Sequence, residues 1–126
     1  MNKLLTLLAT VAFAATASAG EYPDISITEL KSAIQSKKAT VIDVNGSQSY
    51  KEGHIPTAVD FSSKKAELAK VLPAEKDALV VAYCGGPSCG AYAAAAKAAK
   101  ELGYTNVKHL SAGISGWKEA GEKLEK

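Results

Sequence analysis

The chain has 126 residues and a formal net charge of +2, from 15 basic and 13 acidic side chains. This length is enough for one domain and too short for two. All 15 basic residues are lysines. No basic stretch is interleaved with aromatic residues, so we expect no nucleic-acid partner.

Residues 1–19 have the composition of a secretory signal peptide, with a basic start, an apolar run at 4–16 and small residues at 17–19. The apolar run is shorter than the roughly 20 residues that span a membrane. We therefore expect cleavage after residue 19 rather than a membrane anchor. The mature chain, residues 20–126, is predicted to be a single monomeric domain in the periplasm or outside the cell, with no stable membrane association.

The first elements of the mature chain are a helix, a strand and a turn. Ser26 and Glu29 have the spacing of a capping box, which predicts a short helix ending near Ser36. The β-branched apolar run at 39–44 predicts a strand. A short helix or turn is expected at 47–51.

The middle of the chain begins with a loop that leads into a short strand at 58–61. Ser62 or Ser63 is expected to cap the following helix. Pro73 is expected to end that helix, because proline cannot continue it.

The second half contains a buried strand at 78–83, a long alanine-rich helix starting near Gly90, a strand at 106–110 and a last helix at 114–120. Gly103 is expected to cap the long helix at its carboxyl end. Helices thus alternate with short buried strands. This order predicts an α/β fold with a small, mostly parallel sheet and helices on both faces.

Cys84 follows the buried strand, at the edge of the sheet where such folds bind ligands. A helix that starts near this point would stabilise a thiolate through its free N–H groups. We therefore interpret Cys84 as a nucleophile. The substrate-binding loop that follows is predicted to comprise Gly85, Gly86, Pro87, Ser88 and Gly90, with the glycines supplying unusual backbone angles and Ser88 capping the helix.

The second cysteine, Cys89, lies five residues further along the same loop. In an oxidising compartment the two thiols can pair. A disulfide that closes so short a loop stabilises a fold little, so we favour a functional Cys84 over a purely structural disulfide.

Several segments together resemble the rhodanese-like domain family. They are Ile42-Asp43-Val44, Gly-His-Ile-Pro-Thr-Ala at 53–58, the strand and cysteine at 80–84, Gly-Tyr-Thr-Asn-Val at 103–107 and Gly-Ile-Ser-Gly-Trp at 113–117. The resemblance implies a sulfurtransferase that moves sulfane sulfur from thiosulfate, polysulfide or a persulfide to a thiol acceptor. Cys84 would carry the sulfur as a persulfide cradled by the loop N–H groups, with Asp43 and His54 in supporting structural roles and with no cofactor.

The sequence departs from the family where arginine is usual. Gly85, Cys89 and Asn45 occupy those positions. Without a guanidinium group, thiosulfate is expected to bind weakly. Cys89 can instead attack a persulfide on Cys84, which releases sulfide and leaves a disulfide.

Other interpretations remain open at this stage. A sulfane-sulfur carrier or a thiol–disulfide redox module would use the same two cysteines without turnover. A cysteine-dependent phosphatase or arsenate reductase would need arginine where Gly90 stands. The spacing of the two histidines and two cysteines fits no metal site, and no partner is evident for His109. Tyr104 and Trp117 are expected in the core, and Tyr83 and Tyr92 are expected to flank the loop.

Overall fold

The computed structural model describes residues 22–126, so the predicted signal peptide lies outside the described residues. The helices are α1 (Ile27–Gln35), α2 (Ser47–Glu52), α3 (Phe61–Lys64), α4 (Leu68–Val71), α5 (Tyr92–Glu101) and α6 (Gly113–Glu119), with a 3₁₀ turn at Lys65–Glu67. The strands are β1 (Ala39–Asp43), β2 (Val59–Asp60), β3 (Leu79–Tyr83) and β4 (Val107–His109). Within residues 22–126, no helix combines the length and apolar character needed to cross a bilayer.

The four strands form one parallel sheet in the order β2-β1-β3-β4. The two central strands, β1 and β3, are the most apolar, as expected for strands that are covered on both sides. At the carboxyl edge of the sheet, Asp43 is in register with Asp60 on one side and with Tyr83 on the other. The predicted α/β fold with a parallel sheet is therefore confirmed.

Helices cover both faces of this sheet and form two cores. The core under α1 and α6 contains Leu30, Val41, Val81, Tyr83 and Trp117. The core under α3, α4 and α5 contains Ile42, Phe61, Leu68, Val80, Ala82, Cys84, Ala95 and Tyr104. The placement of Tyr104 and Trp117 in the core is confirmed, since each is 2% exposed.

Local signals set two helix ends as predicted. At α1 the Ser26 hydroxyl accepts the Glu29 N–H at 3.0 Å, and the Glu29 carboxylate accepts the Ser26 N–H at 3.2 Å. At the end of α5, Gly103 has a φ of 101° and donates its N–H to the Lys100 carbonyl. The left-handed backbone there is the conformation in which glycine meets no Cβ penalty.

The predicted cap at Ser62 or Ser63 is wrong. Asp60 is the N-cap of α3, and its Oδ1 accepts the Ser62 N–H at 3.1 Å. A carboxylate is stabilised by the free N–H groups of a helix start, and Asp60 already stands there at the end of β2. Its other oxygen accepts the Ser47 hydroxyl at 2.6 Å, which links α2 to α3.

Candidate active-site loop

Cys84 directly follows β3, at the carboxyl edge of the sheet. The carbonyls of Cys84 and Gly85 accept the N–H groups of Ile114 and Ser115, at 3.0 and 2.9 Å. Two N–H groups at the start of α6 are thereby used to hold the loop backbone. The backbone of the first half of the loop is therefore anchored to α6.

Gly113 makes this contact between α6 and the loop possible. It has a φ of 64°, and a Cβ built there would lie 2.6 Å from the carbonyl carbon and oxygen of Gly85 and from the nitrogen of Gly86. Distances of 2.6 Å are shorter than the Cβ contacts found in real proteins. The atoms of Gly85 and Gly86 belong to the backbone, so a side-chain rotation cannot relieve the overlap. Only glycine therefore fits between α6 and the loop.

The two cysteines of the loop are joined in a disulfide, with their Cα atoms 6.3 Å apart. Cys84 is 2% exposed and packs in the α5-side core, whereas Cys89 is only partly buried at the rim of that core. The structure thus brings together the two cysteines that the sequence singled out. It shows the loop in its oxidised state.

The second half of the loop is a turn over residues 86–89. The Cys89 N–H donates to the Gly86 carbonyl at 3.0 Å, and Pro87 and Ser88 lie exposed at its tip. Proline suits the second position of such a turn because its φ is already fixed.

The predicted cap at Ser88 is wrong. Helix α5 begins at Tyr92, and its N-cap is Ala91, which makes no side-chain hydrogen bond. The turn closed by Cys89, together with the disulfide, keeps the chain out of helical geometry until it has passed Cys89. The helix start therefore lies further from Cys84 than the sequence suggested.

One of the loop N–H groups expected to cradle a persulfide on Cys84 has another acceptor in this oxidised loop. The Cys89 N–H donates to the Gly86 carbonyl and closes the turn. Gly85 and Gly86 do not have positive φ, which corrects the expectation that they supply unusual angles. A Cβ at Gly90 would meet nothing within 4 Å.

Asp43 and Tyr83 form a buried pair beneath the loop. The Tyr83 hydroxyl donates to Oδ2 of Asp43 at 2.6 Å and accepts the Ile55 N–H at 3.1 Å. Oδ1 of Asp43 accepts the Asn45 N–H at 2.8 Å. The pair therefore ties the ends of β1 and β3 to the 53–58 loop, and the residue after Tyr83 is Cys84.

Burial also perturbs the ionisation of this pair. It raises the pKa of Asp43 above its usual range, and the hydrogen bond from Tyr83 opposes that rise in part. Burial and the hydrogen bond to Asp43 together raise the pKa of Tyr83 far above its usual range. Tyr83 is therefore neutral at every physiological pH and acts as a hydrogen-bond donor.

The raised pKa of Asp43 predicts how stability depends on pH. The folded state favours the protonated carboxyl, so the stability that Asp43 contributes is present below the usual aspartate pKa of 3.8 and is lost as pH rises through the raised pKa of the folded state. Asp43→Asn cannot ionise and lacks this loss. The unfolding free energy of the wild type minus that of the variant should therefore fall as pH is raised from about 4.

Urea denaturation across this pH range measures the difference. Asp77 is exposed, so Asp77→Asn is a matched control that should show little pH-dependent difference. A wild-type advantage that grows with pH would show that the folded state favours the Asp43 carboxylate, against the geometry described here.

His54 has a structural environment. Its ring stacks on Tyr50 with centroids 3.7 Å apart, and Nδ1 lies 2.8 Å from the Tyr50 carbonyl, an acceptor that requires the proton on Nδ1. Its backbone exchanges two hydrogen bonds with Glu125, which docks the carboxyl-terminal segment on this loop. These contacts favour the interpretation of His54 as a support for the 53–58 loop.

The loop has no charged side chain over residues 84–91. Asn45, at one of the positions where the family carries arginine, lies beside it, with Oδ1 3.9 Å from the place of a Cβ on Gly85. An amide is uncharged and cannot replace the charged, bidentate hydrogen bonding of a guanidinium group to an oxyanion.

One ring contact near the loop was not predicted from the sequence. The His109 ring stacks on Tyr92 with centroids 3.4 Å apart, and burial lowers the pKa of His109. This stack joins the start of α5 to β4. His109 is in parallel register with Ala82, which puts its ring on the α5 side of the sheet, and this long-range pairing has no local signal in the sequence. Among residues 22–126, no group of three or more His, Cys, Asp and Glu side chains is placed to hold a metal ion.

Comparison with known proteins agrees with the resemblance to the rhodanese-like domain family. The family model of the rhodanese-like domain matches residues 26–120. The chain is 34% identical over 116 residues to an HTH-type transcriptional regulator of Mycobacterium tuberculosis, a match that covers 90% of this chain and 50% of the regulator. The chain thus spans about half the length of this curated relative.

Two solved structures are similar over most of the described chain. A rhodanese-related protein of Thermoplasma volcanium has 27% identity and a TM-score of 0.61, with 82% of this chain and 98% of that chain covered. The human single-domain sulfurtransferase has 23% identity and a TM-score of 0.58, with 77% and 96% covered. At this identity, the likeness to the human protein shows a shared fold and no more.

Proposed function

Because the chain belongs to the rhodanese-like domain family, we propose that it is a sulfurtransferase that carries sulfane sulfur as a persulfide on Cys84. The observation that supports this most is the Cys84–Cys89 bond at the carboxyl edge of β3. It puts a second thiol within bonding distance of the sulfur carrier, as the resolving step requires. Cys84 and Cys89 are thus the proposed catalytic residues.

In the first step the Cys84 thiolate of the reduced protein attacks the outer sulfur of a protonated persulfide, R–S–SH. The S–S bond of the donor breaks, RS⁻ leaves with the electron pair, and Cys84 becomes a persulfide. With thiosulfate the same attack would release sulfite. The step is nucleophilic catalysis by a thiolate.

In the second step the Cys89 thiolate attacks Sγ of the Cys84 persulfide. The bond to the outer sulfur breaks, and that sulfur leaves with the electron pair as hydrosulfide. The sulfane sulfur is thereby reduced, and the two thiols are oxidised to the disulfide that the structure contains. An external thiolate can instead attack the outer sulfur, which regenerates Cys84 and yields a new persulfide.

The uncharged loop bears on the choice of donor. Thiosulfate carries two negative charges, and residues 84–91 offer no cation for them. Polysulfides and small-molecule persulfides react through polarisable sulfur and need no bidentate oxyanion contact. They are therefore the proposed donors, with a thiol as acceptor, in the periplasm or outside the cell, and with the protein as a monomer.

A second candidate is a thiol–disulfide redox module that handles no sulfane sulfur. The Cys84–Cys89 disulfide supports it, because reversible formation of this one bond is all that a redox module needs. The two functions differ in whether the reduced protein ever gains a sulfur atom.

Cys84→Ser separates these functions from an adventitious reaction. The reduced wild type, incubated with glutathione persulfide, should release sulfide, and Cys84→Ser should release far less, because only the lone Cys89 thiol remains to react with the donor. Sulfide is measured colorimetrically over a single turnover. Equal release by Cys84→Ser would refute sulfur transfer through Cys84, and no release by the wild type would favour the redox module.

A further inference from the structure

We infer that the Cys84–Cys89 disulfide is opened by a thiolate that attacks Sγ of Cys89, so that Cys89 bonds covalently to a dithiol reductant and Cys84 is the leaving sulfur. The inference builds on the proposed function, because resolution of the persulfide produces the disulfide that must be removed. The test of this inference uses no sulfur donor, so the inference and the proposed sulfur-transfer function can fail separately.

Access to the two sulfurs is unequal. In thiol–disulfide exchange the attacking thiolate must reach one sulfur from outside, opposite the bond that breaks. Cys84 is 2% exposed within the α5-side core, whereas Cys89 is partly exposed. The neighbours of Cys89 on both sides, Ser88 and Gly90, are exposed as well. Only Cys89 can be reached without opening the core.

Backbone contacts are unequal in the same direction. The carbonyls of Cys84 and Gly85 are held by the N–H groups of Ile114 and Ser115. The Cys89 N–H, by contrast, donates to the Gly86 carbonyl, so this backbone hydrogen bond stays within the turn. After cleavage, Cys84 therefore stays fixed on β3 and α6, while the Cys89 turn is free to carry the attached reductant outward.

The electrons balance with a dithiol, R(SH)₂. Its first thiolate attacks Cys89, which forms a mixed disulfide and releases Cys84 as a thiolate. Its second thiolate then attacks the reductant's own sulfur, which releases Cys89 as a thiolate and leaves R(S–S). The product is the Cys84 thiolate that the proposed function uses to accept sulfur. One molecule of a monothiol performs the first half only, so a reaction quenched before a second molecule attacks reports the point of attack.

Peptide mapping tests the point of attack on the protein as it exists. The oxidised wild type is mixed with excess glutathione, acid-quenched within seconds, and digested. We expect glutathione on Cys89, at about tenfold or more over Cys84, since access selects the sulfur attacked. Equal labelling, or an excess on Cys84, would overturn the inference. A thioredoxin whose second cysteine is replaced by serine should be captured on Cys89 if the reductant is a protein, whereas labelling by glutathione alone would assign a small thiol.

A charge variant provides an independent check. Ser88→Glu adds a negative charge next to Cys89, which should slow attack by anionic thiolates about threefold at low salt and less at high salt. Ser32→Glu, at an exposed position of α1, is the matched control and should react like the wild type. An unchanged rate for Ser88→Glu at low salt would contradict attack at the Cys89 turn.

Discussion

Cys89→Ser is expected to stop the release of sulfide in a single turnover without external thiol. The resolving thiolate lies on the same loop as the Cys84 persulfide, and such intramolecular nucleophiles exceed dilute external ones by large effective concentrations. We therefore expect a fall of about 100-fold or more in the sulfide release rate. Sulfide is measured after the reduced variant is mixed with glutathione persulfide.

The same variant separates resolution from sulfur uptake. Serine is nearly the same size as cysteine, and the Cys89 position is only partly buried, so the fold should be retained. Added dithiothreitol should restore sulfide release, because it replaces the missing thiol. Wild-type rates without added thiol would show that Cys89 does not resolve the persulfide.

Gly113→Ala is expected to have the largest effect on stability of any single methyl group added near the loop. Its Cβ would lie 2.6 Å from backbone atoms of Gly85 and Gly86, so α6 and the loop must separate. The φ of 64° adds the left-handed strain of about 1–2 kcal/mol, and the overlap about 1–3 kcal/mol more. Chemical denaturation should show a loss of about 2–5 kcal/mol in the free energy of unfolding.

Gly121→Ala is the matched control for the backbone term. Gly121 has a φ of 80°, and a Cβ there would meet nothing within 4 Å. Gly121→Ala should lose about 1–2 kcal/mol in the free energy of unfolding, from backbone strain alone. Equal losses for the two variants would show that the approach of α6 to the Cys84 loop is not tight. A Gly113→Ala protein that still folds should also react more slowly with sulfur donors, because the carbonyl anchors of Cys84 and Gly85 are displaced.

The strands and two helix ends could be predicted because their signals are local. The apolar β-branched runs gave strand positions within one residue at β1, at β3 and at β4. The Ser26 and Glu29 capping box and the Gly103 cap depend on neighbours a few residues apart. The failures at Ser62 and Ser88 have one cause: a competing group nearby, the Asp60 carboxylate or the Cys89 turn, determined the local geometry instead.

The support under the active-site loop could not be predicted, because it joins residues far apart in sequence. Tyr83 reaches Asp43 across 40 positions and Ile55 across 28. Gly113 directly precedes the helix predicted at 114–120, and nothing local reveals that the Gly85 backbone lies against it. Cys84 and Cys89 could be identified as partners, because their five-residue separation already allowed a bond.

The persulfide itself tests the central proposal most directly. Reduced Cys89→Ser is incubated with glutathione persulfide, and its intact mass is recorded, followed by mapping of the modified peptide. The account predicts a gain of one sulfur atom, located on Cys84. An unchanged mass, or sulfur found on any other residue, would contradict it.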